Sequence, residues 1–166
     1  MRKQLLIIRH AKAELADFKK SDFKRALSTR GERNAQEMAQ RLKIKKIQPQ
    51  KLLSSPALRA ISTANYFAIE LGISKSEIIQ DLEIYDALSN TLLNCINNMD
   101  DQVDFVALFG HNPALTHLVN KFCNTTIYNI PTCGMALIKF PFDSWKMLSE
   151  ETGDLIFYDF PKNKQV

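Results

Sequence analysis

Cysteine is scarce in this chain: three residues in 166, Cys95, Cys123 and Cys133. An odd count without close metal-type spacing fits neither a disulfide framework nor a zinc site. The three thiols are expected to be free, packed in the core, and kept in a reducing compartment. Internal repeats, low-complexity tracts and obvious linkers are also missing. There is no long hydrophobic run: Met1-Arg2-Lys3-Gln4 leads into a short apolar stretch that meets Arg9, His10 and Lys12 at once. That pattern suits neither a signal peptide nor a membrane span, so the expected compartment is the cytoplasm. Charge of one sign is not concentrated either. The net charge is +4, and its cations are spread along the chain, with Lys43-Ile44-Lys45-Lys46 the densest patch. Such a distribution argues for a solvated surface rather than a nucleic-acid or membrane partner, and a modest positive bias suits an anionic substrate.

With 45% hydrophobic and 24% charged residues, the chain reads as one domain, residues 1–166, with a sizeable core. The run Leu5-Leu6-Ile7-Ile8 is apolar on both faces, as in a parallel strand covered by helices, and it ends directly in Arg9-His10. Open α/β sheets place their sites at such carboxyl ends. A second segment, Lys51 to Ser54, is a short strand followed by Ser55-Pro56. Ser55 is expected to cap a helix that begins at Pro56, runs to Leu71 and closes at Gly72. Arg59 then lies about one turn inside that helix, with Thr63 at the next position on its face. A third segment repeats the first: a strand over 103–109 ends at Gly110-His111, and Asn112-Pro113 opens a helix over 113–123. Two strand ends that each deliver a histidine, together with two arginines, make a compact positive site suited to phosphate.

The remaining elements complete the pattern. Thr29 and Glu32 fit a capping box, with Ala35, Met38, Ala39 and Leu42 as the apolar face of the helix that follows. Residues 76–85 read as a strand leaving into a loop, and 88–99 as a helix. Residues 135–140 and 154–160 read as strands forming an edge hairpin. The alternation implies a three-layer α/β domain: a mostly parallel central sheet with helices on both faces and with the strands at 5–8 and 103–109 adjacent.

The ordered set Arg9-His10-Ala11, Ser54-Ser55-Pro56-Ala57-Leu58-Arg59-Ala60 with Thr63-Ala64, and Gly110-His111-Asn112-Pro113 resembles the histidine phosphatase superfamily. Within that superfamily, also called phosphoglycerate-mutase-like, it is most similar to the short SixA-type phosphohistidine phosphatases. Asp22-Phe23-Lys24-Arg25-Ala26-Leu27-Ser28 with Gly31 supports the resemblance, and Ala11 departs from it where many members carry Gly. The resemblance implies the phosphoglycerate-mutase-like fold and a phosphatase.

On this reading His10 is the nucleophile, because imidazole attacks phosphorus through an unprotonated ring nitrogen. Arg9 and Arg59 clamp the phosphoryl oxygens, and His111 and Asn112 add donors. Backbone amides near Ser55 and Asn112 are further candidate donors. No metal or cofactor is expected, since the arginines supply the charge neutralisation. Members acting on alcohol phosphates carry a leaving-group acid near residues 81–87. Glu83 and Asp86 are the candidates here, with a plain loop role the slightly favoured alternative for either. The expected substrate is phosphohistidine on a protein. The alternatives are a small phosphomonoester or, in a different class, a noncatalytic phospho-binding module.

Overall fold

The computed structural model describes residues 2–164. Six strands form one sheet: β1 Gln4–Arg9, β2 Lys51–Ser54, β3 Ile78–Gln80, β4 Phe105–Gly110, β5 Met135–Lys139 and β6 Asp154–Asp159. Their spatial order is β3-β2-β4-β1-β5-β6. The pairs β3–β2, β2–β4 and β4–β1 are parallel, whereas β5 runs antiparallel to both β1 and β6. The hairpin therefore closes one edge of a sheet that is otherwise parallel.

Four helices cover it: α1 Thr29–Ile44, α2 Leu58–Leu71, α3 Ser89–Asn97 and α4 Ala114–Cys123. Successive β1 side chains point to opposite faces. Leu6 and Ile8 pack with Ala35, Met38 and Leu42 of α1 and Phe67 of α2. Leu5 and Ile7 pack with Leu92 and Ile96 of α3 and Leu115, Leu118 and Phe122 of α4. Each large apolar side chain so buried contributes roughly 1.5–3 kcal/mol, which explains why the central strands are apolar without alternation. The result is the expected three-layer α/β fold, and β1 and β4 are neighbours.

Several boundaries differ from the sequence reading. Helix α2 begins at Leu58, and the residue before it, Ala57, makes no side-chain cap. The Ser55 hydroxyl instead accepts the Ala57 amide within a tight turn (3.2 Å), a local alternative that serine offers the backbone. Ser28 rather than Thr29 caps α1, accepting the Gly31 amide at 3.0 Å. Residues 76–85 hold only a three-residue strand, flanked by single 3-10 turns at Lys75–Glu77 and Leu82–Ile84.

Gly31 has a specific packing reason. A Cβ there would stand 2.0 Å from the Lys12 carbonyl oxygen. That carbonyl accepts both the Ser28 amide and the Ser28 hydroxyl (2.9 and 3.1 Å). The chain leaving β1 is thereby moored to the start of α1, and a bridge between Ala13 and Leu27 extends the mooring.

Candidate active site

Three carboxyl ends meet at the centre of the sheet. Arg9 is in register with Gly110, and Ser54 with Phe109. The His10 amide donates to the Gly110 carbonyl and the Ser55 amide to the Phe109 carbonyl, each at 3.1 Å. The Ser55 amide itself is thus already committed to the sheet. The Cys133 amide donates to the Arg9 and His10 carbonyls together, 3.1 Å each, and fixes the backbone on the other side.

Above these ends lies a cavity of about 410 Å³ whose walls include Arg9, His10, Arg25, Arg59, His111 and Asn112. Arg9, His10, Arg59, His111 and Asn112 of the sequence reading therefore converge. Glu83 and Asp86 do not line it. Glu83 is exposed and stands 3.9 Å from the Cys95 sulfur, and Asp86 is exposed with a left-handed backbone (φ 56°).

His10 is 8% exposed. Its Nδ1 lies 2.7 Å from the Ala11 carbonyl oxygen. A carbonyl only accepts, so Nδ1 carries the proton and the lone pair of the neutral ring is on Nε2. The Ala11 amide in turn donates to the Thr63 hydroxyl (3.0 Å), and that hydroxyl donates to the Arg59 carbonyl (2.7 Å). Thr63, read as a packing position, is therefore the tie between the loop that orients His10 and the helix that carries Arg59. Burial pushes the His10 pKa down to about 3; the Ala11 bond pulls upward, and the nearby His111, Arg59 and Arg9 push downward. The ring is neutral at physiological pH, as a nitrogen nucleophile must be.

His111 faces His10 with ring centroids 5.2 Å apart. Its Nε2 lies 2.8 Å from the Ser55 hydroxyl. That contact is satisfied with the proton of neutral His111 on Nδ1, where it can meet an anion. Burial again dominates its pKa, lowering it to about 4 with help from Arg59.

The arginines are held by a subset of their donors. Arg9 Nη1 donates to the Ile130 carbonyl (2.9 Å), and burial lowers its pKa. Arg59 is 6% exposed and donates to the Asp22 carbonyl (2.8 Å) and carboxylate (2.9 Å). The same carboxylate accepts from the Tyr85 hydroxyl (2.9 Å) and from Arg25 (3.1 Å). Desolvation raises the Asp22 pKa, but the Tyr85 and Arg59 bonds outweigh it and leave the carboxyl below its ordinary value. Asn112 lines the cavity with its amide nitrogen already donating to Asn129 and Ile130. Its oxygen accepts from Thr116 in the first turn of α4.

Among the described residues, the buried side-chain polar atoms without a partner are Arg9 Nε, Arg25 Nε, Arg59 Nε and His111 Nδ1. All four belong to the wall of this one cavity. Buried donors are normally satisfied, and each one left unpaired costs roughly 1–3 kcal/mol. Four concentrated in one cleft match an anion bearing several acceptor oxygens. Four contributors were not singled out for the site from the sequence: Arg25, the Ser55 hydroxyl, Tyr85 and Glu14, an exposed carboxylate at the cavity wall. The Asp22–Ser28 motif pointed toward Arg25 without assigning it a place.

The family model for the histidine phosphatase superfamily (branch 1) matches residues 5–88. The chain belongs to that superfamily. No curated protein matched the chain. Among solved structures, the chain is 26% identical to a protein of Agrobacterium tumefaciens provisionally named phosphohistidine phosphatase SixA. The match has a TM-score of 0.79 and covers 95% of this chain and 97% of that one. A tungstate complex of the protein histidine phosphatase SixA is 25% identical, with a TM-score of 0.76 and the same coverage. A vanadate-type complex of a mycobacterial glucosyl-3-phosphoglycerate phosphatase shares the fold at 13% identity. Its TM-score is 0.70, over 95% of this chain and 99% of that one. None of the helices among the described residues is long and apolar enough to cross a membrane.

Proposed function

We propose that this histidine phosphatase superfamily member hydrolyses phosphohistidine on protein substrates, as one catalytic domain, through a phosphorylated His10. The observation that carries the reading is the group of four unpartnered buried donors facing a neutral, oriented His10. Arg9, Arg25 and Arg59 with His111 bind the equatorial oxygens, and His10 Nε2 attacks phosphorus in line with the leaving group. The substrate P–N bond breaks as the His10–P bond forms, and the leaving imidazole departs as a neutral ring once protonated. Water then cleaves the His10–P bond to release orthophosphate. The likeness to the two SixA structures supports phosphohistidine as the substrate. So does the position of Glu83 and Asp86 outside the cavity wall, because a P–N bond needs no dedicated carboxylic acid to leave whereas an alkoxide does.

One observation favours a second reading, a small-molecule phosphomonoesterase: Glu14 lines the cavity and could protonate an alcohol leaving group. The test is rapid quenching during turnover of a phosphohistidine protein, alongside rates on serine and sugar phosphates. An acid-labile, base-stable phosphoryl group on His10 and P–N rates far above alkyl phosphate rates are expected. Efficient alkyl phosphate hydrolysis that collapses in Glu14→Gln would replace the first reading with the second.

A further inference from the structure

The segments that frame the catalytic cleft carry large apolar side chains with nothing to pack on. Among the described residues, eleven large hydrophobic side chains are exposed. Five of them sit on the three stretches that hold the site: Leu15 and Phe18 before Asp22, Leu82 and Leu88 around Tyr85, and Tyr128 beside Asn129 and Ile130. Isolated exposed apolar residues need no explanation, but their concentration around one cleft does. Phe18 at 111% and Tyr128 at 99% relative exposure offer essentially the whole ring to solvent.

The loop also builds a second cavity, of about 370 Å³, in which Phe18 and Lys20 form part of the wall. Glu14, Leu15, Ala16 and Arg25 line both cavities, so the second is continuous with the phosphate site. A pocket for a small phosphomonoester would enclose most of its ligand. Fully exposed aromatic rings beside the cleft are instead the form of a protein contact, where aromatic side chains dominate the binding energy. The loop around it also presents free cations: Lys12, Lys19, Lys20 and Lys24 are exposed and form no ion pair among the described residues. Of the acids on that loop, Asp22 is already committed to Arg25 and Arg59, while Glu14 and Asp17 leave the four lysines in excess.

We propose that Phe18 and Tyr128, with Lys19 and Lys20, form a docking surface for a folded partner whose phosphohistidine stands among apolar side chains ringed by acidic ones. The proposal rests on the protein-phosphohistidine reading and adds the surface that selects the partner. Apolar contact supplies affinity, and the lysines speed encounter with an acidic partner.

The experiment compares two substrates that share the P–N bond: N-phosphoimidazole, and a set of folded acidic carrier proteins phosphorylated on histidine with phosphoramidate. Phe18→Ser and Tyr128→Ser are expected to lower kcat/KM on the carriers by about tenfold each, mainly through KM. Lys19→Glu with Lys20→Glu should lower it too and flatten its dependence on salt. All variants should stay within about twofold of the parent on N-phosphoimidazole. Unchanged carrier kinetics, or equal losses on both substrates, overturn the docking surface and leave the phosphohistidine reading intact. Turnover of N-phosphoimidazole but of none of the carriers overturns the protein-substrate reading together with this surface.

Discussion

A cation stands at each end of strand β1, fully buried Lys3 just before it and half-buried Arg9 as its last residue, and the two are treated in opposite ways. At the amino end Lys3 is fully buried, and its ammonium protons are all used. It donates to the Asp101 and Val103 carbonyls and to the Asp104 carboxylate (2.5, 3.2 and 2.8 Å), with its ammonium 5.6 Å from the Trp145 ring centre. At the carboxyl end Arg9 uses one donor on Ile130 and buries another with no partner. One end is a closed structural tie. The other keeps polar groups unsatisfied where an anion can complete them, the expected trade between stability and function.

The comparison breaks most sharply with His10→Ala. Turnover should fall by at least about a thousandfold, since no other group can carry the phosphoryl intermediate. Folding stability should hold, and added orthophosphate should still raise the melting temperature because the arginines remain. A variant that keeps more than a few per cent of parental kcat would remove His10 from the nucleophile's role.

Lys3→Ala should do the reverse. Removing it leaves the Asp104 carboxylate and two carbonyls without their donor and the packed stem's space unfilled, which should lower the melting temperature by several degrees. Lys3→Met, which keeps the packed stem, should cost less. Measured well below the melting temperature, kcat should be close to parental in both. A large kcat loss in the folded Lys3→Met variant would show that the two ends of β1 are not separable.

The pH dependence distinguishes the two ends more gently. His10 and His111 have pKa values of about 3 and 4 in the folded state, each lowered chiefly by burial, against about 6.5 unfolded. The unfolded chain therefore binds more protons between these values, so stability is highest above about pH 6.5 and declines as pH falls toward 4. The carboxyls of Asp101 and Asp104, held below their ordinary values by hydrogen bonds from Trp145 and Lys3 respectively, add their losses only at lower pH. Melting temperatures from pH 7 to 4.5 should fall less steeply in His10→Asn/His111→Asn than in the parent. Equal slopes would mean that the histidines are not held neutral.

The difference between the ends also explains what could be read from sequence. Strand ends are legible because an apolar run has a period and a stop, so Arg9-His10 and Gly110-His111 announced themselves. Arg59 lines the cavity, although it is the second residue of its helix rather than one turn inside it as expected. Ser55-Pro56 has the composition of a cap, yet the Ser55 hydroxyl is needed in a turn and against His111. The roles of Arg25, Glu14 and Tyr85 depend on how residues 11–28 fold back onto α1 and α2. That path is set by contacts distant in sequence, such as Tyr85 with Asp22 and Thr63 with Ala11. Nothing periodic records such contacts. The same holds for Lys3, whose partners lie about a hundred positions away.

The smallest expected effect concerns the acids. At the amino end the carboxylate beside the cation, Asp104, is its salt-bridge partner. At the carboxyl end Glu14 lines the cleft and pairs with no cation among the described residues, while its backbone is tied to Ala26 and Arg25. A carboxylate placed so is either a leaving-group acid or a bystander on the loop. A positioned general acid contributes about a hundredfold or more to cleavage of a poor leaving group. The imidazole of phosphohistidine needs far less help, since protonation at its remote nitrogen already makes it a neutral leaving ring. Glu14→Gln should therefore change the phosphohistidine rate by less than about threefold, a margin far below what general-acid catalysis supplies. Its slow hydrolysis of serine phosphate should change as little. A hundredfold loss on an alkyl phosphate that the parent cleaves efficiently would assign Glu14 the proton and move the enzyme to small phosphomonoesters.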